Sequence, residues 1–367
     1  MAYTETCGDC TEFIREFNHK SARLRVPISG SIDLTHRCNL KCAHCYLRTH
    51  TVRSGKTVRE TGTAKMLSLL DEIKEAGCLF LLITGGEPLL REDFAEIYRH
   101  AKMNGLLVTL FTNGTLITDE VLSVFADLPP RFVEISLYGA TAGTYESITG
   151  VEGSFARCMS GIHRLLEHGF DVRLKTILMT LNRDEFHDIE KIAGDLGVKF
   201  RFDAAIFPCA DGSRYPMDLR VSPEEAVEKE FSDSKRAHGW IEYFQRSRSQ
   251  PSSGKLYNCG AGLTGFHINP HGKLQPCLMA GHLQYDLLDG AFLTGWRDVL
   301  SGLREQKTGI TYACNTCEKR HLCGFCPAFH RLENGSEEAV SEYLCAMGHQ
   351  RFELIKKVNS QEVQYAT

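Results

Sequence analysis

Between residues 28 and 207 short apolar runs alternate with stretches in which apolar residues return every three or four positions. The runs at 28–34, 79–84, 106–111, 132–137, 172–179 and 198–207 have the length of strands. The stretches between them, 61–76, 92–104, 118–126, 154–168 and 183–196, keep a helical period. Met66, Leu69, Leu70 and Ile73 mark it in the first, and Ile162, Leu165 and Leu166 in the fourth. Gly77, Gly105 and Gly169 stand just past three of these stretches, where a glycine accepts the left-handed turn that ends a helix. Repeated strand–helix alternation predicts an α/β fold, a parallel sheet joined by right-handed crossovers.

Outside this region the pattern changes. Residues 1–27 are polar and mixed and read as an N-terminal arm, with Cys7 and Cys10 as incidental thiols. Residues 208–258 read as a bridge: a turn cluster at 208–213, a helix at 223–231 capped by Ser222, and a polar, turn-rich linker at 246–255. A cysteine-rich stretch occupies 259–349, and 350–367 forms a tail.

The chain of 367 residues has room for one large core and a smaller module. Its formal charge of −4, with no basic stripe, argues against a nucleic-acid partner. No apolar run approaches a membrane span, and residues 1–9 carry no export-type segment, so the expectation is a cytoplasmic protein without a membrane partner. Fifteen cysteines in such a chain point to metal ligation before disulfides, and ten of them fall into two spaced groups, three near the front and seven near the back.

The front group is Cys38-Asn39-Leu40-Lys41-Cys42-Ala43-His44-Cys45-Tyr46, directly after the first predicted strand. Three thiolates this close can hold zinc or iron–sulfur, and a triplet without a fourth nearby ligand suits a [4Fe–4S] cluster with one iron left open. The ends of the next three strands are also polar and glycine-rich: Thr84-Gly85-Gly86-Glu87-Pro88, Phe111-Thr112-Asn113-Gly114 and Ser136-Leu137-Tyr138-Gly139. Barrels of parallel strands carry their chemistry at those ends.

The order CxxxCxxC then GGEP resembles the radical S-adenosylmethionine (SAM) enzymes, and the resemblance implies a partial (β/α)6 barrel of the TIM type. It implies a SAM-binding cluster on Cys38, Cys42 and Cys45. The backbone of Gly85 and Gly86 and the Glu87 side chain would contact the SAM amino group, Ser136 would touch SAM, and Lys175 would pair with its carboxylate. His44 stands where relatives carry an aromatic residue near the adenine; Tyr46, Thr112 and Asn113 complete the implied cofactor contacts.

The back group resembles the SPASM extension of the same superfamily, a smaller α+β module that binds auxiliary [4Fe–4S] clusters. The match runs from Cys259 to Cys345 with one departure: two residues, not three, separate Cys323 from Cys326. The resemblance assigns Cys314, Cys317, Cys323 and Cys345 to one auxiliary cluster and Cys259, Cys277 and Cys326 to the other. The second is then open at one iron or closed by a distant residue such as Cys209, Cys7 or Cys10. Three [4Fe–4S] clusters in all are expected; a pair of zinc sites is the alternative for the back group. His267, His271 and His330 lie near these ligands and read as surface or internally satisfied histidines.

SPASM-type enzymes mostly act on peptides or protein side chains. The implied function is therefore a peptide maturase. It would cleave SAM reductively to a 5′-deoxyadenosyl radical and form a thioether or carbon–carbon crosslink in a ribosomally made precursor. A flavodoxin- or ferredoxin-type donor would reduce it. One alternative is radical SAM modification of a small molecule or tetrapyrrole side chain. Another, of a different class, is a non-catalytic iron–sulfur electron carrier or redox sensor.

Overall fold

The computed structural model describes residues 8–47, 59–249, 254–310 and 312–365. Cys7, the side chain of Cys10 and residues 250–253 of the expected linker lie outside them.

Six strands, all parallel, form the barrel part of the sheet: β1 (Ser29–Asp33), β2 (Phe80–Thr84), β3 (Leu107–Thr112), β4 (Phe132–Ser136), β5 (Val172–Ile177) and β6 (Lys199–Asp203). Along each, alternate residues serve opposite faces. Ile32, Ile83, Leu110, Ile135 and Leu174 point to the core, where they meet Met66, Leu69, Ile97, Phe125, Ile162 and Ile189. Those residues come from α2 (Thr63–Glu75), α3 (Phe94–Met103), α4 (Asp119–Asp127), α6 (Ser154–Glu167) and α7 (Phe186–Asp195). The opposite face carries Asp33 beside Thr84, and Phe111 beside Glu134 beside Arg173. Helices cover one face, and a polar inner face remains, as in a barrel that stops short of closure.

The strand order is β6-β5-β4-β3-β2-β1-β7-β8-β9. The last three, β7 (Gly265–Ile268), β8 (Lys273–Gln275) and β9 (Tyr285–Asp286), belong to the cysteine-rich region, and β7 pairs in parallel with β1. The main core continues through this join: Phe266, Ile268, Phe292, Trp296 and Leu300 are part of it. Gly30 makes the join possible, because a Cβ there would lie 2.2 Å from the Phe266 ring. The remaining helices of eight residues or more are α1 (Gly8–Leu24), α5 (Ala142–Thr149), α8 (Pro223–Phe231), α9 (Ser234–Ser247), α10 (Pro327–Asn334) and α11 (Glu342–Tyr365).

The structure departs from the sequence reading in several places. The fifth and sixth strands stop early, at Ile177 and Asp203. The apolar residues beyond them fill small separate cores, Leu178 with Ala204 and Met179 with Ile206. The polar arm contains α1, whose Phe13 is 68% exposed, so its apolar residues gave no buried stripe to detect. The bridge holds α9 as well as the foreseen α8, whose Ser222 side chain accepts from Glu225 N. Among the described residues no helix is long and apolar enough to cross a membrane.

Candidate cluster and cofactor site

The loop after β1 holds Cys38, Cys42 and Cys45, and two neighbouring elements fix its path. Lys41 N and Ala43 N donate to Thr149 O and Ile148 O at 2.7 and 2.8 Å. Carbonyls at the C-terminal end of α5, which a helix leaves unpaired, are thus taken up by the cysteine loop. On the other side Tyr215 Oη donates to Cys45 O at 2.7 Å, and the Cys209 thiol approaches the same carbonyl at 3.8 Å. Cys209, which sequence reasoning offered to the back group, therefore sits against the front one.

Gly85 and Gly86 are needed for a close approach, but the neighbour is the cysteine loop itself. Gly86 N donates to Thr35 O at 2.7 Å and Glu87 N to Arg37 O at 2.9 Å. A Cβ on Gly85 or Gly86 would lie 2.3 or 2.2 Å from the carbonyl oxygens of Thr35 or Arg37. Gly85 also has φ +130°, which only glycine adopts readily. The Glu87 side chain is fully buried and turned inward, accepting from Leu89 N, Thr112 Oγ1 and Asn113 N at 2.8 to 3.1 Å. It ties the end of β2 to the end of β3, so the expected acceptor for an amino group is already engaged. Burial pushes its carboxyl up to about 7. Asn113 extends the chain of contacts, donating to Asn39 Oδ1 at 2.8 Å and reaching Cys38 Sγ at 3.9 Å.

His44 meets Tyr138 edge-on, with ring centres 4.5 Å apart, and its Nδ1 is buried without a hydrogen-bond partner. Desolvation lowers this imidazole to about 4, so it is neutral. Tyr46 leans on Phe207. Ser136, at the end of β4, bonds to Tyr138 and is buried. Lys175 faces the inner side of the sheet, 3.7 Å from Glu134 Oε1 and 3.5 Å from the centre of the Phe111 ring. Desolvation lowers its ammonium to about 8. Glu134 is shared with Arg201, so Lys175 already has a carboxylate partner.

The seven back cysteines form two sets. Cys326 feels the charges of Cys277 and Cys259, and Cys323 those of Cys314, Cys317 and Cys345. Cys326 caps α10, where its sulfur accepts from Phe329 N at 3.4 Å; that bond favours the thiolate, but burial and the charges of Cys277 and Cys259 push the thiol up to about 12. Cys314, Cys317, Cys323 and Cys345 line one pocket together with His330, His349 and Arg320. Gly348 lets α11 come close enough to complete that set, because a Cβ there would lie 2.7 Å from Cys323 Cβ. No periodicity announced this glycine. His330 is buried, its Nδ1 3.1 Å from Glu337 O; His267 is also buried, and His271 is half-buried.

The thiols suit a cationic centre. Burial, with the charges of Glu87 and Cys45 adding, pushes Cys38 up to about 11, and the Tyr138 hydroxyl feels all three front thiols. Crowded thiolates oppose one another until a metal centre stands among them and reverses the balance. Among the described residues no three Cys, His, Asp or Glu side chains converge as the ligands of one ion do. The orphaned His44 Nδ1 beside the front set suits a ligand with a hydrogen-bond donor.

The sequence profile described as Radical SAM superfamily matches residues 32–196. The chain is 29% identical over 321 residues to the AdoMet-dependent heme synthase of Methanosarcina barkeri, covering 81% of this chain and 90% of that protein. It is 30% identical over 327 residues to the mycofactocin maturase MftC of Mycolicibacterium smegmatis, covering 83% and 79%. In fold it is similar to Streptococcus suis SuiB bound to its precursor peptide SuiA, with a TM-score of 0.69 at 17% identity, over 94% of this chain and 84% of that one.

Proposed function

This chain belongs to the radical SAM superfamily, and we propose that it matures a ribosomally made peptide, oxidising it to a thioether or carbon–carbon crosslink. SAM bound at a reduced [4Fe–4S] cluster would supply a 5′-deoxyadenosyl radical that takes a hydrogen atom from an unactivated carbon. The chain's own residues do the placing. Cys38, Cys42 and Cys45 would hold three irons, and the loop that carries them is pinned by α5 on one side and by the Gly85–Glu87 turn on the other. His44, Tyr46 and Ser136 would line the adenosyl and methionyl groups. Glu87, Thr112 and Asn113 would act one layer behind, keeping the strand ends in register. The sets 259/277/326 and 314/317/323/345 would each hold an auxiliary [4Fe–4S] cluster, three clusters in all, and a flavodoxin- or ferredoxin-type protein would be the reductant.

The likeness to mycofactocin maturase, which runs through the barrel and into the cysteine-rich region, carries this reading. A second reading, modification of a tetrapyrrole side chain, is favoured by the likeness to heme synthase over 90% of that enzyme. One experiment separates them. The anaerobically reconstituted protein should contain roughly 12 irons, and the Cys38/Cys42/Cys45→Ala variant roughly 8. The loaded protein is then given SAM, dithionite and either a candidate precursor peptide, sought as a small open reading frame beside its gene, or a tetracarboxylate porphyrin. A peptide lighter by two hydrogens supports maturation, and conversion of the porphyrin alone replaces it with the second reading. Failure to cleave SAM under any condition would sink both.

A further inference from the structure

Asp33 stands at the end of β1 on the inner face, with no exposed surface and no hydrogen bond to either carboxylate oxygen. A buried carboxylate left in this state is costly unless cationic or polar groups are held against it. Two imidazoles are. His36 Nε2 lies 3.3 Å and His267 Nε2 3.7 Å from Asp33 Oδ2. The two histidines come from different parts of the chain. His36 belongs to the cysteine loop, and His267 belongs to β7, where its Nδ1 is 2.9 Å from Ser31 Oγ. The His36 ring also meets His271, in the turn between β7 and β8, edge-on at 5.5 Å. A second link runs alongside. Glu60 accepts from Thr35 Oγ1 at 2.5 Å and His36 N at 3.2 Å, and its neighbour Thr61 donates through N and Oγ1 to Pro270 O at 2.7 and 2.9 Å. Pro270 is in the same turn, and β8 leads within two residues to Cys277.

We propose that Asp33, His36, His267 and His271 form a strut through which the β7–β8 hairpin, and with it Cys277, sets the seating of the cysteine loop. Filling the auxiliary site at Cys277 then changes how tightly SAM binds at the front cluster. These are positioning residues, acting through the cysteine loop: neither imidazole can leave Asp33 without stranding its buried carboxyl oxygens. The inference rests on the functional reading above in one respect, that Cys277 is a cluster ligand.

The test is a double-mutant cycle on the reconstituted protein, read by SAM dissociation constants and by the change in the electron paramagnetic resonance signal of the front cluster when SAM is added. Cys277→Ala and His267→Gln should each weaken SAM binding about tenfold, the usual size of coupling between sites, and the double variant should be no weaker than either alone. Should His267→Gln lose iron from the front site, Asp33→Asn, which removes the charge and keeps the volume, takes its place with the same expected outcomes. Lys273→Gln, in the same hairpin but paired with Asp286, should bind SAM as the wild type does. The strut is overturned if Cys277→Ala binds SAM normally, if the two losses multiply, or if Lys273→Gln matches His267→Gln. A wild type that does not bind SAM removes the functional reading, and the strut with it.

Discussion

Glu87 serves the site from behind. Its carboxyl, pushed up to about 7 by burial from an ordinary 4.5, keeps a proton in the folded chain that the unfolded chain has already released. The stabilisation is therefore complete below about 4.5 and is lost as the pH rises through about 7. In denaturation of the metal-free protein, Glu87→Gln should flatten that part of the stability–pH curve, and the difference between the two curves isolates this group from the other histidines and lysines. Glu87→Ala should cost about 1–3 kcal/mol at every pH, since the Asn113 and Leu89 amides lose their acceptor. The motif around Glu87 was legible in the sequence, but its partners were not. A turn of Thr-Gly-Gly-Glu-Pro shows that backbone must come close to something, and only the fold shows that the something is the carbonyls of Thr35 and Arg37. Lys175 is a similar case. Its place in a strand was readable, whereas its partner Glu134 depends on the register of β4 with β5.

Two helices hold the cysteines, and neither was visible as a pattern. The helix α5 is eight residues long, with Tyr145 and Ile148 as its buried apolar residues, too few to mark a period. It ends at Gly150, φ +66°, whose Cβ position would lie 3.3 Å from Lys41. Gly150→Val should cost about 1–2 kcal/mol through the left-handed backbone alone. It should also loosen the cysteine loop, and iron analysis should find roughly four irons fewer, with the back clusters intact. Gly348 plays the corresponding part in α11. Gly348→Leu should force the helix away from Cys323 and remove roughly four irons while the front cluster still binds SAM. An unchanged iron count in either variant would mean that the cluster, once built, overrides the local packing.

At the scale of the whole molecule the family resemblance divided the cysteines into three groups, and in the structure Cys326 has Cys277 and Cys259 as charged neighbours and Cys323 has Cys314, Cys317 and Cys345, although 31 positions separate Cys314 from Cys345. The strand–helix alternation gave the six barrel strands in order. What the sequence concealed is the join. The strand β7 is four residues, Gly-Phe-His-Ile, too short to declare a period and bounded by turn residues, so a reader of the pattern places a boundary where the sheet in fact continues. Its pairing partner is β1, 236 positions away, and only the complete arrangement of strands reveals it.

That join has a consequence for how the chain can be cut. With β7 in place, residues Ser29 to Ile32 of β1 are paired on both sides. A chain ending at residue 258 would keep every element of the six-stranded barrel, yet it would bare the amide and carbonyl row of β1 and uncover Gly30 where the Phe266 ring now lies. A raw strand edge beside an apolar surface recruits another like itself. Size-exclusion chromatography with light scattering should find such a chain as dimers and larger aggregates, while the full chain runs without them. The seam between barrel and cysteine-rich region is thus also the molecule's protection against sticking to its own copies.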